Sequence, residues 1–189
     1  MPNNPPARDR ILRAALRIIG DSGVSAVTNR RIAEEAGVSL GSITYHFATQ
    51  RDLLRESLAL FVENETCRFA QLATQYQADS ISPALAGQVV SQAAAATAFD
   101  SEHIASFELY IQAGRDPELR GAAAACFAAY DQLAASILRS LGIADTDRVA
   151  PAAVALITGL QLRRLATGAP GDDIADALLL LLGNSGRPT

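Results

Sequence analysis

Residues 28–47 read TNRRIAEEAGVSLGSITYHF, and their punctuation decides the fold. Thr28 has the side chain of a helix N-cap, and Gly37 breaks the helix that follows through Ala36. Ser39 caps a second short helix through His46. Ala33, Gly37 and Ile43 stand at relative spacing 0, +4 and +10. Two short helices joined by a tight turn need a small residue where they cross, a residue tolerant of positive φ in the turn, and an apolar plug from the second helix. Val38 and Phe47 back that plug. The second helix then presents Ser39, Leu40, Ser42 and Tyr45 to solvent, small or amphipathic groups suited to a DNA major groove.

Outward from this core, the whole chain reads as helix. No stretch alternates apolar and polar residues over a strand's length between turn signals. A first helix from Ala7 to Ile19 puts Ile11, Leu12, Ala15, Ile18 and Ile19 on one face and Arg8, Arg10, Arg13 and Arg17 on the other, with Gly20 and Gly23 ending it. A long helix follows from Gln50 to Tyr76, its stripe running through Leu54, Leu58, Phe61, Glu65, Phe69, Leu72 and Tyr76. ADSISP, at 78–83, marks a loop. Further helices are expected over 83–99, 101–114, 117–141, 146–167 and 171–183. The expectation is an all-α protein of about nine helices, divided into a three-helix domain at 1–49 and a helical domain at 50–189.

The chain has 189 residues and a formal charge of -4, which argues against a generic nucleic-acid binder. The distribution of that charge points the other way. Residues 1–55 carry eight arginines against five acids, and residues 56–189 carry eight against fifteen. A basic module on an acidic body is the pattern of a protein that meets DNA with one end. Cys67 and Cys126 make no disulfide framework and are expected to be small apolar residues on helices. With two histidines and no HExxH, no metal site is expected, and no cofactor. GxSxG, P-loop and GxGxxG signatures are absent, so an enzyme is not expected. No apolar run is read as long enough to cross a membrane, and the first ten residues, MPNNPPARDR, lack the apolar core of a signal peptide. A cytoplasmic location follows as an expectation.

Residues 8–54 resemble the DNA-binding domain of TetR-type (tetracycline-repressor-like) transcription regulators. The matching stretches are ILRAALRIIGDSGVSAVT, RRIAEEAGVS and GSITYHFATQRDLL. FELYIQAGRDPELR, at 107–120, is similar to a stretch common in the ligand-binding domains of that family. The resemblance implies a homodimer that binds a near-palindromic double-stranded operator and releases it when a small molecule enters the C-terminal domain. It implies that Thr28 bonds a phosphate from a helix N-terminus and that Arg30 reaches a base edge or phosphate. Leu40, Gly41 and Ser42 would sit at the bases beside Ser39, with Tyr45 and His46 on phosphates. Two positions depart from the family pattern. Thr44-Tyr45 replaces an aromatic pair, and Gln50 replaces a Lys, so a charged phosphate contact is missing or has moved to Arg51. Each residue also has a plainer role open to it: a cap for Thr28 and His46, a solvated face for Arg30, packing for Tyr45.

The last two helices are too apolar for surface helices. Val149, Ala153, Leu156 and Leu160 form one stripe, broadened by Val154, Ile157, Leu162 and Leu165, and Leu178 to Leu182 cover every direction. A helix apolar all round must be buried all round, which predicts a two-fold dimer through these helices. Ligand-lining candidates are Phe61, Glu65, Phe69, His103, Phe107, Glu108, Tyr110 and Tyr130, aromatics with a few polar groups. The carboxylates among them favour a neutral or cationic effector. A helical enzyme and an architectural DNA-binder without a ligand are the rival readings.

Overall fold

The computed structural model describes residues 5–77, 100–140 and 142–168, with residues 174, 176–178 and 180 beyond them. Among these every regular element is helical: α1 (Ala7–Ser22), a 3-10 turn (Val24–Ala26), α2 (Asn29–Ala36), α3 (Leu40–His46), α4 (Gln50–Gln77), α5 (Ser101–Arg115), α6 (Pro117–Ser140) and α7 (Thr146–Thr167). The expected loop at 78–83 and helix at 83–99 lie outside the described residues, as does most of the expected 171–183 helix. The all-α reading and its order of elements stand. The chain forms two compact units, residues 1–63 with 99–126, and residues 64–98 with 127–189. The first unit extends beyond residue 49 because α5 packs on α1 within it.

The first unit is built around α1. Ile11, Leu12, Ala14, Ala15, Leu16, Ile18 and Ile19 are all buried, a wider face than the periodic stripe predicts. α1 is covered by α2, α3, the 3-10 turn and α5. Gly20 does not end α1; it lies inside it, and Gly23, at φ 80°, follows the last turn. The reason for glycine at 20 is tertiary. A Cβ there would come within 1.8 Å of the Ser101 carbonyl oxygen. Ser101 Oγ also donates to the Asp21 carboxylate. The N-terminus of α5 is thereby seated directly on α1, with Asp100 as N-cap accepting from the His103 backbone N–H at 2.8 Å.

In the second unit, α7 packs by one face. Ala153 with Ile174 and Leu178 makes one buried cluster, flanked by Leu156, Ile157 and Leu160. Leu138, Val149 and Ala150 make another. The stripe expected to meet a second copy is therefore largely consumed by the chain's own core. Burial all round is not reached either: Ala155, Gly159, Leu162 and Ala166 remain exposed along α7, and Leu180 is 76% exposed. By length and composition alone, α6 and α7 are apolar enough to cross a membrane, so the sequence-based exclusion was too strict. The same composition serves a helix covered by protein on several sides.

Candidate nucleic-acid interface

The helix-turn-helix forms as its local signals require. Thr28 Oγ1 accepts from the Arg31 N–H at 3.2 Å, and Ser39 Oγ accepts from the Ser42 N–H at 3.2 Å. Gly37 sits in the left-handed region, at φ 62° and ψ 43°, and its N–H and that of Val38 close the end of α2. Ile43 and Phe47 are buried at 2% and 5% exposure, locking α3 against the first unit's core. What is left facing outward is the opposite side of α3.

On that side Ser39, Leu40, Gly41 and Tyr45 are exposed and Ser42 is half-buried. Leu40 is 55% and Tyr45 84% exposed, unusual for large amphipathic or apolar groups on a helix whose other face is core. Gly41 has open space where a Cβ would stand, so no neighbour among the described residues demands a glycine. His46 is half-buried, its ring edge-on to Tyr45 at 5.1 Å. Thr28 and Ser39 fill their capping roles as acceptors only, which leaves each hydroxyl hydrogen available to donate to a phosphate. The Arg30 side chain is 88% exposed and pairs with its helix neighbour Glu34 at 3.3 Å.

The start of α4 holds what the sequence reading missed. Thr49 and Asp52 cap it reciprocally: the Asp52 N–H donates to Thr49 Oγ1 at 3.0 Å and the hydroxyl donates to the carboxylate at 2.8 Å. That signature, a threonine three residues before an acid, was legible. Gln50 donates its amide to the Val27 carbonyl at 3.0 Å, tying α4 to the residue before Thr28. Arg51 is not turned outward alone. Its guanidinium donates to Asp116 at 2.7 Å and Glu118 at 3.0 Å, and these partners raise its already high pKa, Glu118 foremost. Nothing local to Arg51 announces partners so far along the chain.

Comparison with known proteins decides what this surface belongs to. The sequence profile of the bacterial regulatory proteins of the tetR family matches residues 11–57, and that of the tetracyclin repressor-like C-terminal domain matches residues 82–184. This chain belongs to the TetR family. It is accordingly a DNA-binding transcriptional regulator and not an enzyme. The regulator BetI of Agrobacterium fabrum is 30% identical over 172 residues, covering 88% of this chain and 80% of BetI. The regulator PksA of Bacillus subtilis is 37% identical over 68 residues, a match that spans 36% of this chain and 33% of PksA. Among solved structures, a TetR-family member from Streptomyces coelicolor A3 has a TM-score of 0.73 at 31% identity, covering 94% of this chain and 99% of that one. The multidrug binding protein EbrR in complex with imidazole has a TM-score of 0.73 at 29% identity, covering 98% of each chain.

The effector candidates of this regulator fall in both units. In the first, Phe61 is buried and meets the His103 ring edge-on at 5.1 Å. His103 Nδ1 lies 2.7 Å from the Asp100 carboxylate. Burial opposes ionisation of Asp100, but the hydrogen bonds from His103 outweigh it and hold the carboxyl below its usual range. Phe107 and Tyr110 are half-buried and edge-on at 6.5 Å. Glu108 is exposed, because it falls just outside the arc of α5 buried at Ala105, Ser106, Leu109 and Ala113. In the second unit, Glu65 receives two hydrogen bonds from Arg68, at 3.0 and 2.7 Å. The two carboxylates that favoured a neutral or cationic effector are thus exposed in one case and paired with Arg68 in the other. Tyr130 is half-buried, and the Phe69 side chain lies outside the described residues. Among the described residues no cluster of ligating side chains suits a metal ion.

Proposed function

We propose that this regulator is a repressor that binds a near-palindromic operator as a homodimer in the cytoplasm and is released by a small-molecule effector. The observation that carries the DNA-contacting part is the outward side of α3. Leu40 and Tyr45 stand in water while Ile43 and Phe47 anchor the helix, and no steric contact among the described residues requires glycine at 41. In this reading Leu40, Gly41 and Ser42 meet base edges, with Ser39 and Arg30 beside them. Thr28, Tyr45, His46 and Arg51 hold phosphates. A glycine inside a helix costs about 1 kcal/mol relative to alanine; close approach of the α3 backbone to the base edges is a reason to keep it.

Gly41→Ala tests this directly because its two effects have opposite signs. The free protein should gain up to about 1 kcal/mol in urea unfolding, while fluorescence-anisotropy titration of a duplex from upstream of its own gene should show weaker binding. Unchanged binding together with higher stability would remove α3 from the DNA. Wild-type binding should also fall with salt at a slope of about -0.9 per phosphate contacted.

Support for dimerisation comes from the exposed apolar face of α7, at Ala155, Gly159, Leu162 and Ala166, spaced by four, three and four. Small residues at that spacing let a second helix approach closely. For the effector, the aromatic pairs Phe61–His103 and Phe107–Tyr110 supply rings. EbrR has been solved with ethidium at 31% identity and with malachite green at 32% identity, so aromatic cations are the first probes. Saturable binding of such a dye to the free protein, with loss of duplex binding at dye concentrations that leave an unrelated protein–DNA complex intact, separates a ligand-responsive repressor from an architectural binder.

A further inference from the structure

We propose that Asp116 and Glu118 set the operator affinity of this chain by competing with DNA phosphate for the Arg51 guanidinium; the proposal rests on the DNA-binding reading above. Arg51 lies in the first turn of α4, four residues after Phe47 closes the recognition helix. The residue before it, Gln50, carries no charge, and one of its two amide N–H groups is already donated to the Val27 carbonyl. Arg51 is therefore the cation of this turn, and it is 51% exposed.

Its charge is over-compensated where it stands. Nε donates to Asp116 and Nη1 to Glu118, so one guanidinium is held by two carboxylates. The cluster is net negative in a module that is otherwise basic, and a phosphate approaching it meets repulsion as well as an occupied donor. The clamp is anchored on its acidic side. The second oxygen of Asp116 accepts from the Glu118 backbone N–H at 3.0 Å and so starts α6. Asp116 is 16% exposed and fixed, whereas Glu118 is 66% exposed. The guanidinium is the member free to leave. An open cleft of about 610 Å³, bordered by Thr49, Leu54 and Glu118, adjoins it, so the side chain rotates outward without displacing core groups. Exposed ion pairs are individually weak, so a phosphate contact reinforced by counterion release competes on even terms.

The test is a double-mutant cycle read by anisotropy on a duplex of about 30 base pairs from upstream of the gene and on a random duplex of the same length. Asp116→Asn keeps the capping oxygen of α6, and Glu118→Gln keeps the side chain's length, so the fold is spared. The Asp116→Asn/Glu118→Gln chain should bind the upstream duplex several-fold more tightly than wild type. Adding Arg51→Gln should abolish that gain and make the salt slope shallower by about 0.9 per half-site, the share of one phosphate contact. An equal gain with and without Arg51→Gln would mean general charge repulsion and overturn the competition. No gain in either background would mean that Arg51 never reaches phosphate. Failure of the wild-type chain to bind either duplex would instead remove the DNA-binding reading itself.

Discussion

α1 and α7 are both apolar helices, yet the chain treats them differently. Every large apolar side chain of α1 is buried, covered by four other elements of the first unit. α7 buries Val149, Ala150, Ala153 and Val154 and leaves Leu162 47% exposed beside Ala155, Gly159 and Ala166. One helix has its partner inside the chain; the other keeps a face that nothing among the described residues covers. Similar composition thus does two jobs. It makes a core in the first unit, and in the second it makes a surface that a further copy would bury at a gain of about 25 cal/mol per Å² of apolar area.

The largest effects should come from the covered helix. Leu16→Ala removes a fully buried side chain and should cost about 2–5 kcal/mol in urea unfolding. A loss under 1 kcal/mol would mean that α1 is not the centre of its unit. Gly20→Ala should cost about 1–3 kcal/mol, although alanine is the better helix former, because the new methyl meets the Ser101 backbone. A stabilised variant would show that α5 does not sit against α1.

Smaller effects probe finer features. Ser57 is fully buried and its Oγ has no partner among the described residues, so Ser57→Ala should raise stability by about 1 kcal/mol. A loss would point to a hydrogen bond made by the hydroxyl. Leu162→Glu on the exposed face of α7 should change unfolding of the dissociated chain by no more than about 0.5 kcal/mol, yet shift the protein from dimer to monomer in light scattering. Leu156→Glu should instead destabilise the chain itself, since Leu156 packs on the Ala153–Ile174–Leu178 cluster. If the Leu162 variant stays dimeric, the open face of α7 is not the interface.

The cysteines repeat the contrast. Both cysteines lie on helices, as expected, but Cys67 is exposed and Cys126 is buried. Burial pushes the Cys126 thiol from 9.0 to about 11. Folding therefore favours the protonated thiol. That contribution is whole below pH 9 and is lost as pH rises toward 11, so the melting temperature should fall over that window and fall less in Cys126→Ala. At neutral pH a thiol reagent should label one cysteine in the native chain and two after denaturation.

Within its own reach the sequence determined a great deal. Thr28, Gly37 and Ser39 placed α2 and α3 to the residue, and the 3.6-residue period found the buried face of α1, because capping, backbone sterics and helical periodicity act over a few neighbours. Tertiary structure alone decided the rest. The glycine at 20 reads as a helix end and is a contact with Ser101. Arg51 reads as a free phosphate ligand and is held by Asp116 and Glu118. Leu156 reads as interface and Leu162 as part of the same broad stripe, but only the packing of α7 shows which one faces inward. For Gly20 and Arg51 the partner lies far along the chain, and a contact closed by the folding of intervening helices leaves no mark on the residues beside it.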